Sequence, residues 1–236
     1  MFAAVDPPAA VSEQLASWAR EVSAALRGAA APAGGAKLRL LAPETMHVTL
    51  CFLGSRPVGE MDALAAALEQ CEAPPPGELS LGAPLWLPPR NPRSLALEVG
   101  DGDGRLERLQ HVVVEAIARA ISWEPDRRRF RAHVTVARIG RGKPSRAGKP
   151  HRSGGQSAPG GRLGGAHEAD APGPFLPPTP QLSFTPSAVV LYRSWLDPQG
   201  ASYEAVTTRE LTAEPSDSPS SSPGSSTGEG GEEGAL

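Results

Sequence analysis

The feature of the sequence that most constrains its fold is a short strand pattern that occurs twice. His-Val-Thr-Leu at 47–50 and His-Val-Thr-Val at 133–136 lie in the strand-like runs "MHVTLCFLG" and "FRAHVTVARIG". Successive side chains of a strand point to opposite faces, so the His and Thr of each copy share a face. For one copy, strand propensity is the better explanation, but two copies among five histidines favour a functional repeat.

The strand rule also assigns the neighbours of each motif to faces. We expect Cys51 to share the face of the first His and Thr, and Phe52 to lie with the core residues. In the second strand, Arg131 shares the face of His133, whereas Arg138 faces the other way if the strand stays regular. Phe130 is expected in the core.

Helices and strands alternate around the motifs in two unequal halves. The first half has a strand at 2–5, a helix that starts at Pro7-Pro8, and a helix at about 58–72. The second half has the paired strands "GELSLGAPLWLP" and "SLALEVG", a helix at about 103–121, and a closing hairpin that turns at 197–200.

Two segments have compositions that cannot support a packed core. The stretch 141–180 is rich in Gly, Pro, Ser, Ala and Arg, and 212–236 is an acidic Ser/Gly-rich tail. Both are predicted to be disordered. The prediction is therefore a single domain over 1–211, interrupted by a basic insert at 141–180.

Composition also bounds the setting in which the chain acts. Cys51 and Cys71 form neither a metal-ligand spacing nor a disulfide framework, which is typical of a reducing cytosol. No apolar run approaches the ~20 residues of a membrane span, and the N-terminus lacks the basic region of a signal peptide. We therefore expect a cytoplasmic monomer that does not contact membranes.

Two histidines and two threonines on facing strands suit the chemistry of a phosphodiester. Imidazoles with pKa values near 6.5 can divide the work, one accepting a proton from water and the other donating to a leaving oxygen. Threonine hydroxyls can donate to the charged phosphate oxygens. The residues alone leave open which of His47 and His133 is the acid.

Other hydrolytic sites fit the sequence less well. No carboxylate or cysteine stands at His-x-x-x-His or a similar metal spacing, and neither a Gly-x-Ser-x-Gly elbow nor a phosphate-binding glycine loop occurs. His111 lies within a predicted helix and His151 and His167 lie in the insert, so we predict that these three are not catalytic.

The chain resembles the 2H phosphoesterase superfamily, whose members carry two His-x-Thr/Ser motifs. Within it the chain is most similar to RNA 2′,3′-cyclic phosphodiesterases, also called 2′-5′ RNA ligases or LigT-type proteins. The blocks "MFAAVDPPAAV", "APETMHVTLCFLG", "RRFRAHVTVAR" and "LYRSWLDPQGASYEAV" resemble those of the family. Cys51 stands where relatives often carry a basic residue, Ala132 where proline is usual, and the insert is unusually long.

The resemblance implies a two-lobed α+β fold with pseudo-twofold symmetry, mainly antiparallel sheets backed by helices, and a central cleft. It implies that His47 is the proton donor, that His133 is the proton acceptor, and that Thr49 and Thr135 hold the phosphate. It also implies no metal or other cofactor, and an RNA with a 2′,3′-cyclic phosphate end as the substrate, hydrolysed to a 2′-phosphate.

Two arginines are candidate substrate-binding residues. Arg131 shares the face of His133 and is predicted to reach the RNA phosphate. Arg138 belongs to the family block, and a phosphate contact competes with a salt bridge at the strand end.

Two further functions stay open at this point. The same site fits small cyclic nucleotides or 2′-5′-linked oligonucleotides, which it would join or cleave. The basic insert also fits a non-catalytic RNA-binding module.

Overall fold

The computed structural model describes residues 1–28, 38–140, 176–197 and 200–212. Within these ranges the chain forms nine strands and three α-helices. The strands are β1 Phe2–Val5, β2 Leu38–Leu40, β3 Val48–Phe52, β4 Leu79–Leu87, β5 Ser94–Asp101, β6 His133–Ile139, β7 Ser183–Phe184, β8 Ala188–Asp197 and β9 Gly200–Glu210. The helices are α1 Ala9–Gly28, α2 Met61–Gln70 and α3 Arg105–Ala120.

The strands form one antiparallel sheet whose two halves have matching strand orders. Its order is β7-β4-β5-β6-β3-β1-β8-β9, and β2 pairs with the far part of β6. Each half contains a strand, a helix and then a motif strand next to the first: β1, α1 and β3 in one, and β5, α3 and β6 in the other. The predicted α+β fold is confirmed, with its two halves joined edge to edge into a continuous sheet.

The helices bury one apolar stripe each against this sheet. The stripe of α3 follows helical spacing, with Leu106, Leu109, Val113 and Ile117 all buried. The Asp101 carboxylate holds the start of α3, because its oxygens accept hydrogen bonds from the main-chain N–H groups of Leu106 and Glu107 at 3.2 and 2.9 Å. In the described ranges, no helix is long and apolar enough to cross a membrane.

The end of the predicted insert packs on the domain, contrary to expectation. Leu176 packs against the hydrophobic core, and the indole Nε1–H of Trp18 donates a hydrogen bond of 3.2 Å to the carbonyl of Pro177. A buried indole N–H needs an acceptor, which explains why this Pro-rich end of the insert is held in place. The remainder of the insert, 141–175, and the tail from 213 onward lie outside the described residues.

Candidate active site

The two motifs come together where β3 and β6 pair across the middle of the sheet. Val48 lies opposite Val134, and both side chains are fully buried. The strands run antiparallel, so on the other face His47 lies near Thr135, and Thr49 lies near His133. All four side chains line a single cleft of about 590 Å³.

The same hydrogen bond orients both histidines. Nδ1 of His47 lies 2.9 Å from the carbonyl oxygen of Thr45, and Nδ1 of His133 lies 2.8 Å from that of Arg131. A carbonyl can only accept, so in each ring Nδ1 carries a proton. Nε2 is therefore the atom that each imidazole can use to exchange a proton with a molecule in the cleft.

A β-bulge in β6 brings Arg138 into the cleft. The consecutive β5 residues 95–96 pair with Ala137 and Thr135, which leaves Val136 as an extra residue in β6. Val136 and Ala137 are both buried, and alternation resumes with Arg138 on the cleft face. The sequence placed Arg138 on the opposite face only if the strand stays regular. The bulge removes that condition, so Arg138 lies on the same face as His133.

The first motif strand has a bulge at the equivalent position. Residues 3–4 of β1 pair with Cys51 and Thr49, which leaves Leu50 as the extra residue. Cys51 consequently packs against the core, and Phe52 lines the cleft. The predicted faces of Cys51 and Phe52 are therefore exchanged, for the same physical reason as in β6.

The guanidinium of Arg131 lies away from the reacting groups. It forms an ion pair with Glu98 at 3.2 Å, outside the set of residues that line the cleft. The structure thus does not bring this side chain into the cleft, and its phosphate contact stays a prediction. The Arg131 carbonyl does contribute to the site, because it accepts the hydrogen bond from Nδ1 of His133. Phe130 packs against the core, as predicted, and His111 is exposed on α3.

An aromatic cluster surrounds His47 that the motif analysis did not identify. The ring of Phe2 stacks on the imidazole with centroids 4.6 Å apart, and Tyr203 meets its edge at 5.3 Å. Tyr192 also stacks on Phe2 at 5.2 Å and lies 6.2 Å from the imidazole. The sequence offers one signal of this cluster, a tyrosine on each strand of the closing hairpin, but tyrosine is also a good strand former.

This environment disfavours a charge on His47. Burial lowers its pKa to about 4, and the positive charges of Arg138 and His133 act in the same direction. The hydrogen bond to the Thr45 carbonyl opposes the shift but does not cancel it. His47 is therefore neutral at pH 7 while the cleft holds only water.

The lowered pKa of His47 predicts that acid destabilises the fold. The unfolded chain binds the proton with a pKa near 6.5, so between pH 6.5 and 4 it holds more protons than the folded chain. The free energy of unfolding should fall across this window by on the order of 3 kcal/mol. Urea denaturation at a series of pH values measures it.

His47→Gln provides the control, because glutamine does not titrate. The free energy of unfolding of the wild type, relative to that of this variant, should fall from pH 7 to pH 4. Parallel pH profiles of the two proteins would contradict the lowered pKa of His47. Arg138→Gln should raise the pKa of His47, as read from the NMR titration of its imidazole, because one of the repelling charges is removed.

Comparison with known proteins finds a family and a relative for this chain. The family model described as "2'-5' RNA ligase superfamily" matches residues 7–150. The RNA 2′,3′-cyclic phosphodiesterase of Aeropyrum pernix is 33% identical over 107 residues, which are 44% of this chain and 59% of that protein. The chain thus spans about three fifths of this curated relative's length.

Solved structures show the same fold. The protein TT0787 of Thermus thermophilus superposes with a TM-score of 0.62 at 21% identity, covering 90% of this chain and 98% of that one. LigT of E. coli, crystallised with 3′-AMP, gives 0.59 at 21% identity, with 89% and 97% covered. The family match spans well over half of the chain and includes both motifs. The chain belongs to the 2′-5′ RNA ligase superfamily, a group of 2H phosphoesterases.

Proposed function

We propose that the cleft hydrolyses 2′,3′-cyclic phosphates at RNA ends to 2′-phosphomonoesters, without a metal ion. The observation that carries the proposal is the matched pair of imidazoles. Each is held through Nδ1 by the carbonyl two residues earlier, and each lines the same cleft. Two such groups supply the acid and the base that one displacement at phosphorus requires. The name of the Aeropyrum pernix relative supports this substrate class.

The charged and polar groups of the cleft fit a phosphodiester anion. The hydroxyls of Thr49 and Thr135 and the guanidinium of Arg138 line it together with the histidines. Hydroxyls donate to non-bridging oxygens, and a guanidinium adds a fixed positive charge. These donors stabilise the charge that builds up on phosphorus oxygens in the transition state.

The reaction assigns one proton transfer to each histidine. Nε2 of His133 accepts a proton from water as the water oxygen bonds to phosphorus. The bond from phosphorus to O3′ breaks, its electron pair stays on O3′, and Nε2 of His47 supplies the proton that O3′ takes up. One water is consumed, and the cyclic diester becomes a 2′-phosphate beside a free 3′-hydroxyl.

The low pKa of His47 is compatible with the role of proton donor. A bound phosphodiester brings a negative charge beside the ring, which favours the imidazolium and raises the pKa above that of the empty cleft. Burial then makes the charged ring a strong acid toward the leaving oxygen. Thus the substrate itself would load the proton on His47.

The first test is the reaction itself. An RNA ending in a 2′,3′-cyclic phosphate, incubated with the protein in EDTA, should yield a 2′-phosphate end. This end is identified because a phosphatase of broad specificity releases its phosphate whereas a 3′-specific phosphatase does not. Activity that disappears in EDTA and returns with zinc or manganese would contradict the metal-free mechanism. Conversion of 2′-5′-linked oligonucleotides alone would favour the alternative substrate.

The two proton transfers can be separated by the choice of leaving group. His47→Ala and His133→Ala should each slow hydrolysis of the cyclic phosphate by about 10²–10⁴-fold. The leaving group of a 4-nitrophenyl phosphodiester departs without a proton. The hydrolysis rate of this substrate should therefore fall much less in His47→Ala, whereas in His133→Ala it should fall as much as for the cyclic phosphate.

His111→Ala is the matched control, because its imidazole is exposed on α3 and should be dispensable for both substrates. If the nitrophenyl leaving group instead restores the activity of His133→Ala, His133 is the proton donor and His47 is the proton acceptor. Full activity of either motif variant would remove that histidine from the mechanism.

A further inference from the structure

A hydrogen bond beside the cleft joins two side chains that the proposed reaction does not use. The hydroxyl of Tyr192, on β8, donates to a carboxylate oxygen of Asp6 at 2.5 Å. Asp6 follows the last residue of β1, and both side chains are half-buried. Neither is among the described residues that line the cleft, so neither is placed to touch a substrate.

Burial sets the protonation of this pair. Burial raises the pKa of Tyr192, and the hydrogen bond to Asp6 and its negative charge act in the same direction, so the hydroxyl keeps its proton and remains the donor. Burial also raises the pKa of Asp6, whereas the hydrogen bond from Tyr192 opposes that shift. Each side chain thus gives the other the partner that a buried polar group needs.

The ring of Tyr192 connects this hydrogen bond to His47. The planes of Tyr192 and Phe2 differ by 30°, and those of Tyr192 and the imidazole differ by 33°. Phe2 lies at 25° to the imidazole, so the three rings share nearly one orientation. The hydrogen bond from Nδ1 to the Thr45 carbonyl fixes one atom of the imidazole, and the two neighbouring rings limit its tilt.

The register of β1 brings Asp6 beside the same histidine. Val5, the last residue of β1, lies opposite Val48 of β3. One residue further along this antiparallel pair, Asp6 comes beside His47, and alternation puts it on the face of β1 that carries Phe2. The backbone therefore carries a carboxylate to the histidine, and a hydroxyl from β8 occupies that carboxylate.

We propose that Asp6 is a positioning residue for His47 and that it acts through Tyr192. The Asp6 carboxylate holds the Tyr192 hydroxyl, the Tyr192 ring stays against Phe2, and these two rings keep Nε2 of the imidazole aimed at the leaving oxygen. The hydroxyl also occupies the carboxylate, which would otherwise pair with the imidazole and divert its proton from the cleft. This inference rests on the proposed function, which makes His47 the proton donor.

The test compares two leaving groups. Tyr192→Phe keeps the ring and removes only its hydroxyl, and Asp6→Ala removes the acceptor. Each should lower kcat for an RNA 2′,3′-cyclic phosphate by about 10- to 100-fold, because a slightly misplaced reacting group loses that much rate. Hydrolysis of the 4-nitrophenyl phosphodiester, whose leaving group needs no proton, should hardly change. A merely structural role would slow both reactions equally.

Three further variants show whether the effect belongs to this hydrogen bond. Asp6→Asn keeps an oxygen that accepts from Tyr192 and should retain most of the activity on the cyclic phosphate. The double variant Asp6→Ala/Tyr192→Phe should be no slower than the slower single variant, because both changes break one interaction. Thr207→Val is the matched control: it removes another hydroxyl of the hairpin, which donates to the Glu69 carboxylate at 2.8 Å, and should change neither substrate. Additive losses in the double variant, or equal losses on the two substrates, would overturn the proposal.

An NMR titration of the His47 imidazole separates this inference from the proposed function. If the wild-type protein hydrolyses neither substrate, the proposed activity fails, and the titration tests the positioning alone. The wild-type pKa should be about 4. Tyr192→Phe should raise it, because the freed Asp6 carboxylate favours the imidazolium, and adding Asp6→Ala should remove much of that rise. Arg138 and His133 keep their charges in every variant, so the difference reports on Asp6. Equal pKa values in wild type and Tyr192→Phe would reject the proposal.

Discussion

The pairing of β3 with β6 is the constraint on which the site depends. Val48 and Val134 meet at the centre of the sheet, and both are fully buried. A slip of one residue would turn every His and Thr of that strand toward the core, where their polar atoms would lack partners. The apolar face of the motifs therefore fixes the register, and the register brings the polar face of each motif beside the other.

A β-bulge in each motif strand then changes which side chains face the cleft. The matched bulges at Leu50 and Val136 turn Phe52 and Arg138 to the cleft. Turning Phe52 outward forgoes about 1.5–3 kcal/mol of burial, which is the usual gain from enclosing a Phe side chain.

The two halves are alike in backbone and different in environment. Both histidines are held by the carbonyl two residues earlier, so the orientation of each ring is a local property of its motif. Only His47 is enclosed by the aromatic cluster of Phe2 and the hairpin tyrosines, and its pKa is lowered to about 4 as a result. Nearly identical sequences thereby acquire different surroundings.

The sequence predicts the features that arise within a few residues and misses those that depend on distant segments. The strand pattern predicted the motif positions and the helix stripes, because both follow from periodicity within a few residues. It could not predict the faces of Phe52 and Arg138, since a bulge is an offset between two strands and depends on the partner as much as on the strand itself. The cluster around His47 and the docking of Leu176 likewise join segments distant in sequence.

The central claim is that both motifs act on one phosphorus atom. A crystal structure of the protein with a uridine–vanadate complex, which mimics the five-coordinate transition state, tests it most directly. The account predicts one vanadate in the cleft, with Nε2 of His47 and Nε2 of His133 each hydrogen-bonded to one of its two apical oxygens. A vanadate that contacts only one of the two imidazoles, or that binds outside the cleft, would contradict it.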